Sequence, residues 1–225
     1  MSASTDPAAA GPDLPLTVEG VTTSELVVKR SRFLTRLVHV TTVEAAEAVV
    51  ATTRREHWDA RHHCVALVVG PRSDVARSSD DGEPAGTAGA PMSEVLRRRG
   101  LTDVVVVVTR YFGGVLLGTG GLARAYAGAV EGAVELAPIV ARREMDRVVV
   151  HAPHESAGRA EHFLRDWSAA HGALVIGVTY AGDAVLEMLV PPAGRPRLES
   201  DLAAFSAGCL VLEIVGREIA DVSPP

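Results

Sequence analysis

Cysteine is scarce in these 225 residues: Cys64 and Cys209 lie far apart and in no C-x-x-C or zinc spacing. That excludes a disulfide scaffold and points to a reducing compartment. Aromatic residues make up only 4%. Cations are also in deficit, with 22 Lys and Arg against 28 Asp and Glu and a net charge of −6. No global positive field is therefore available to hold a nucleic acid or an anionic membrane, and any such contact has to be a local patch. No apolar run, the valines 104–108 included, approaches the roughly 20 residues of a membrane span. The first 17 residues hold Asp6 and Asp13 but no basic residue, so they read as a disordered tail rather than a signal peptide or anchor. The expected location is cytoplasmic.

What is present is ordinary globular material, 47% hydrophobic and 22% charged, a balance that argues against collagen-like, low-complexity and disordered polymers. At about 150 residues per domain, the length allows one large or two small domains. Residues 18–28 and 32–40 are rich in β-branched side chains and flank the basic turn Lys29-Arg30-Ser31, which predicts a hairpin or bent pair. Thr41-x-x-Glu44 has the pattern of a capping box and predicts a helix to about Arg55, with Val43, Ala46, Val49 and Val50 as its buried stripe. His63–Val69 reads as a strand. Residues 71–91 combine turn formers with almost no bulk and predict one long surface loop. Pro91 suits the first turn of a short helix to about Arg99, with Gly100 just past its end.

Val104–Thr109 begins with five consecutive valines and has no polar side, so it predicts a strand buried on both faces. A second glycine-rich loop covers 110–121. It leads into an amphipathic helix marked by Leu122, Tyr126, Ala129, Val130 and Ala133, ending before Pro138. From Arg147 a new series begins: strand 147–152, helix 155–170 stopped by Gly172, strand 173–180, an Ala181-Gly182-Asp183 turn, strand 184–190, helix 195–206 and strand 210–218. This βαββαβ order predicts a ferredoxin-like unit. The expected organisation is thus α+β: a tail over 1–17, an N-terminal domain over 18–140 and a ferredoxin-like domain over 147–225. The second domain is the more acidic and the poorer match for a polyanion.

Three groups of residues carry chemistry. Asp80, Asp81 and Glu83 can hold a hard cation or pair acids for proton transfer, although their spacing fits no calcium loop. Equally, the Asp side chains can cap turns and the next helix by accepting amide hydrogens. On a strand His62 and Cys64 share one side and His63 the other, so a Cys–His nucleophile pair is sterically open beside the reading of Cys64 as a small buried hydrophobe. The third group runs from Arg110-Tyr111-Phe112-Gly113-Gly114 through Gly118-Thr119-Gly120-Gly121 to Arg124 and Tyr126. Gly118-x-Gly120-x-x-Ala123 matches a dinucleotide fingerprint in form, but it stands too far behind its strand, and no Walker Lys follows. What remains is a pliant backbone opening a helix, flanked by two arginines and three aromatics, a phosphate-and-stacking combination. The alternative puts Phe112 and Tyr126 in the core and leaves Arg110 as a solvated cap. The cations Lys29, Arg30, Arg32 and Arg36, and the triplet Arg97-Arg98-Arg99, can extend a positive face or simply be solvated.

Four ordered strings, Lys29-Arg30-Ser31-Arg32-Phe33, Ala60-x-His62-x-Cys64, residues 79–91 and residues 110–126, together resemble the IMPACT/YigZ family. The C-terminal βαββαβ part is similar to the small second domain of bacterial members. The resemblance implies an N-terminal fold like domain IV of elongation factor G, a ribosomal-protein domain-2-like fold, followed by a domain like its domain V. By that analogy it implies contact with RNA or the ribosome. Eukaryotic members restrain a kinase pathway that lowers translation initiation under amino-acid stress, by binding a partner protein. This chain is expected to lack their extra N-terminal domain and so not to share that role. Leu67 and Leu117 stand where the family commonly has an aromatic and a Lys, and the second takes a cation out of the anion site.

Two functional readings result. The first is a translation-associated regulatory or binding protein whose loops 79–91 and 110–121 converge on RNA, the ribosome or a translation-related protein. Arg110 and Arg124 contact phosphate and Tyr111 stacks. Gly113, Gly114, Gly118, Gly120, Gly121 and Tyr126 complete the surface, and His62, Asp80, Asp81, Glu83 and Thr87 shape its rim. No cofactor, metal or membrane is expected in this reading. The alternative is a metal- or nucleotide-dependent, hydrolase-like enzyme with Asp80, Asp81 and Glu83 as ligands or acid–base groups and His62 as proton carrier.

Overall fold

The structure is a computed structural model that describes residues 14–180 and 182–222. The fold is mixed α+β. Leu14–Arg142 forms one compact unit and Arg143–Ala220 a second. The first contains β1 (Thr17–Val18), β2 (Val21–Val28), β3 (Ser31–His39), α1 (Val43–Glu56), β4 (His62–Val69), β5 (Val75–Ser79), α2 (Gly89–Arg98), β6 (Val104–Tyr111) and α3 (Gly118–Leu136). Its sheet has the antiparallel order β2-β3-β6-β4-β5.

The valine strand β6 sits at the centre, where its composition requires it to be. Val104, Val106 and Val108 pack with Met92, Leu96, Leu122 and Tyr126 on one face, while Val105 and Val107 pack with Ala46, Val65 and Leu67 under α1 on the other. Each full burial contributes roughly 1.5–3 kcal/mol. A central strand has no wet side, so five valines in a row cost nothing in solvation.

Three expectations are corrected. Residues 14–17 are not tail: Leu16 exchanges backbone hydrogen bonds with Gly100 and Thr102, and Thr17 pairs with Val140. Residues 1–13 lie outside the described residues. Thr42 rather than Thr41 caps α1, its hydroxyl accepting from the Ala45 amide at 3.1 Å. The chain turns one residue late because the Val40 amide is still tied to the Asp103 carbonyl at 2.9 Å. The long loop 71–91 is interrupted by β5, which pairs with β4 from Val69↔Val75 to Val65↔Ser79. An edge strand needs a partner on one side only and tolerates the polar string VARSS, which hides it from pattern reading.

The remaining elements, most of whose residues lie in the second unit, are β7 (Ile139–Ala152), α4 (His154–His171), β8 (Leu174–Tyr180), β9 (Ala184–Val190), α5 (Arg195–Ser206) and β10 (Leu212–Val222). β9 pairs with β7 and β8, and β10 pairs with β7. Val148, Val150, Leu186 and Met188 pack against Leu164, Trp167, Leu198 and Leu202 of the helices. Gly172, left-handed at φ 64°, ends α4 as its position suggests. Of the turn expected at 181–183, Ala181 lies outside the described residues. Among the described residues no helix is long and apolar enough to cross a membrane.

Candidate functional site

One end of the N-terminal sheet gathers most of the residues singled out above. The register sets Arg32 opposite Tyr111, Phe33 opposite Arg110 and His62 opposite Arg110. The ends of β3, β4 and β6 are therefore flush, and the loops after β5 and β6 leave from neighbouring positions.

The acidic loop is built by its own carboxylates. Asp80 accepts from the amides of Gly86 (2.8 Å), Ala88 (3.0 Å) and Gly89 (2.8 Å), closing the loop and receiving the first turn of α2. Burial raises its pKa, yet the three amides outweigh that and hold the carboxyl below its ordinary value. Gly89 is required at this point, since a Cβ would lie 2.9 Å from the Ser79 nitrogen. Asp81 accepts from the His63 amide at 2.7 Å and pairs with Arg54 at 2.7 Å, and its carbonyl accepts from His62 Nδ1 at 2.9 Å. Glu83 turns inward. Its Oε1 accepts from Arg110 at 2.7 Å and from the Tyr126 hydroxyl at 2.8 Å, with both charged side chains no more than 7% exposed. Thr87 is buried and its hydroxyl donates to the Pro84 carbonyl.

These contacts show what each carboxylate of the loop does in the fold. Asp80 caps the loop and the start of α2, Asp81 ties the loop to β4 and to Arg54, and Glu83 is the counter-ion of a buried arginine. Each of the three carboxylates is thus engaged by groups of the protein itself. Among the described residues no three His, Cys, Asp or Glu side chains gather as metal ligands. The Cys64 thiol donates to the Asp80 carbonyl at 3.0 Å, and burial pushes its pKa up to about 12. Burial thus favours the neutral thiol over the thiolate that a nucleophile requires. His63 faces the opposite side of the sheet, hydrogen-bonded to Thr109 at 3.1 Å, and burial holds its ring below the ordinary pKa.

The glycine-rich side needs corrections too. Arg110 is neither a phosphate contact nor a solvated cap: it lies inside, its guanidinium 5.6 Å from the centroids of both Phe33 and Phe112. Tyr126 is fully buried, meets Phe33 edge to face at 5.1 Å, and burial raises its pKa. Neither Glu83 nor Thr87 belongs to a rim, because both are interior. Tyr111 is half-buried. Its hydroxyl donates to Asp59 at 2.9 Å and lies 3.2 Å from His57 Nδ1, and the Arg32 guanidinium sits 5.8 Å over its ring.

The loop surface itself is open. Phe112 is 57% and Leu116 83% exposed, which removes Phe112 from the core. Gly114, Gly118, Gly120 and Arg124 are exposed as well, with Gly113 and Gly121 half-buried. Gly113 is pressed on the basic turn: its amide donates to Ser31 Oγ at 3.1 Å, and a Cβ there would lie 2.0 Å from the Arg30 carbonyl carbon. Lys29 and Arg30, both at positive φ, make the two-residue turn itself. Two cations thus occupy positions that glycine or asparagine would fill at lower cost. His57, the 82% exposed Trp58 and Asp59, where α1 ends, were not among the expected site residues. A tryptophan next to a helix end was the available signal.

By its fold and its site this is a two-unit α+β protein in which a buried ion pair ties the loop after β5 to the end of β6. The Impact N-terminal domain family model matches residues 29–134. The chain is 40% identical over 187 residues to the IMPACT family member YigZ of Escherichia coli (strain K12), across 82% of this chain and 90% of that protein. It is 41% identical over 150 residues to the IMPACT family member YvyE of Bacillus subtilis (strain 168), across 67% and 69%. A crystal structure of a hypothetical protein aligns with TM-score 0.62 and 37% identity over 91% of this chain and 98% of the other. The chain belongs to the IMPACT family.

Proposed function

We propose that this chain is a cytoplasmic, translation-associated regulatory protein that binds RNA through the end of its N-terminal sheet. The observation that carries the reading is the contact of Gly113 with Arg30: it sets the exposed basic pair Lys29 and Arg30 against the loop that carries the exposed Phe112 and Leu116. In a chain with a net charge of −6, such a mixture of cations and apolar side chains on a rigid support is the local patch that binding to phosphate and unstacked bases needs. Arg124, nearly two turns into α3, is a further exposed cation on the element that follows the glycine-rich loop. The interior pair Glu83–Arg110 supports the patch without touching the ligand.

Family membership supports the translation link and the finer fold reading, an N-terminal domain like domain IV of elongation factor G and a ferredoxin-like second domain. The order β7-α4-β8-β9-α5-β10, with strands arranged β10-β7-β9-β8, favours that second domain. The test is fluorescence anisotropy with structured RNA and with ribosomes at several salt concentrations. Affinity is expected to fall steeply with salt, and the triple variant Lys29→Ala, Arg30→Ala, Arg124→Ala to flatten that slope. Equal binding by the triple variant at every salt concentration contradicts the reading.

A further inference from the structure

On the α1 side of the same sheet, β2 and β3 run past the end of the helix and leave a cleft of about 390 Å³, lined among others by Thr23, Leu34, Arg36, Thr53, His57 and Thr109. Its charges are balanced. Arg36 Nη1 donates to Glu56 at 2.6 Å and to Thr53 at 3.3 Å, and both oxygens of Glu25 are taken by Arg32, at 2.6 and 3.2 Å. With every formal charge matched, the cleft offers no field to draw a phosphate or carboxylate inside.

Its hydrogen-bonding capacity is not matched. Among the described residues Arg36 Nε and Nη2 have no protein partner, nor does the Thr23 hydroxyl. A guanidinium with two adjacent donors left over is matched by two adjacent acceptors on a flat edge, the geometry of O6 and N7 of guanine. Leu34 supplies an apolar surface for the ring. Arg30 stands four strand residues from Leu34, roughly 13 Å along β3, close enough for the backbone of the same strand of RNA to reach the basic turn.

We propose that this cleft takes an unpaired guanine base, with Arg36 reading its O6 and N7 edge, while the RNA backbone lies on the Lys29–Arg30 turn. The inference rests on the RNA-binding reading above and assigns it a base preference. The shared chemistry is the guanine ring, which a free guanosine nucleotide also carries.

The experiment compares anisotropy of short single-stranded RNAs identical except for one G or A, together with thermal shift by guanosine monophosphate. The wild-type protein is expected to bind the G-containing RNA about tenfold more tightly. Thr23→Trp, at an exposed strand position, fills the cleft and should remove that preference while keeping salt-dependent binding to both RNAs. Arg36→Lys keeps the charge for Glu56 but loses the planar fork, and should remove the preference too. RNA binding without a G preference, or a preference that survives Thr23→Trp, overturns the cleft and leaves the RNA reading standing. No RNA binding at all overturns the RNA reading, and overturns the cleft with it unless guanosine monophosphate still gives a shift. A guanosine monophosphate shift that Thr23→Trp abolishes would in that event make a free nucleotide the cleft's occupant.

Discussion

Glu83 Oε1 and Arg110 Nη1 meet at 2.7 Å inside the N-terminal unit, and through them the loop after β5 is tied to the strand end from which the glycine-rich loop departs. The Tyr126 hydroxyl on the same oxygen adds α3 to the junction. Three elements distant in sequence thus share one acceptor.

Breaking this pair should be costly. Glu83→Ala leaves the Arg110 cation buried and unpaired and is expected to destabilise the unit by about 3–5 kcal/mol, read from urea unfolding. The double variant Glu83→Leu, Arg110→Met removes both charges and should lose much less. Equal losses would show that the pair contributes by packing alone.

Cys64 should be inert in the folded protein. With its pKa at about 12 it is expected to resist iodoacetamide at pH 8, while the exposed Cys209 is alkylated; mass spectrometry distinguishes them. Linkage gives the sign for stability. The folded state keeps the thiol proton where the unfolded chain, with the ordinary value of 9.0, releases it. The thiol's contribution to stability is therefore full below pH 9 and is lost between 9 and about 12, with Tyr126 acting in the same direction.

On the acid side the sign reverses. Asp80, held below its ordinary 3.8, stabilises the fold above that pH, and its contribution is lost as pH falls further. His63, held below 6.5 by burial, must gain a proton on unfolding, so stability also falls beneath pH 6.5. Urea midpoints at pH 7, 5 and 3 should drop at each step. Asp80→Asn should cost about 1 kcal/mol at pH 7, as a weakened helix cap does, and flatten the last step.

Gly113→Ala should separate the hairpin turn from the glycine-rich loop. A methyl group 2.0 Å from the Arg30 carbonyl carbon forces backbone apart, with an expected loss of about 1–3 kcal/mol. Salt-dependent RNA binding should weaken with it, because the cations and Phe112 no longer share a surface. Unchanged binding in a folded variant would remove that contact from the proposed site.

Elements whose evidence is local were legible in advance. The valines 104–108 can satisfy only a doubly covered strand, and Gly172 and Gly100 sit where helices must stop. β5 was hidden because an edge strand makes weak demands on its side chains. Among site residues, the cap reading of Asp80 was already available from its turn context. The roles of Arg110 and Glu83 were not, since 27 residues separate them and an arginine beside glycines reads as exposed until its counter-ion is found.

Periodicity and turn chemistry, which act over a few residues, determined most of the strands and helices of this chain, and four short strings pointed to its family. Which side chains are interior was decided by the assembled tertiary fold, because the desolvation of a charge depends on what every other element brings to the same few ångströms. That is why Glu83 and Arg110 became the interior of the site, while Phe112, Lys29 and Arg30 became its surface.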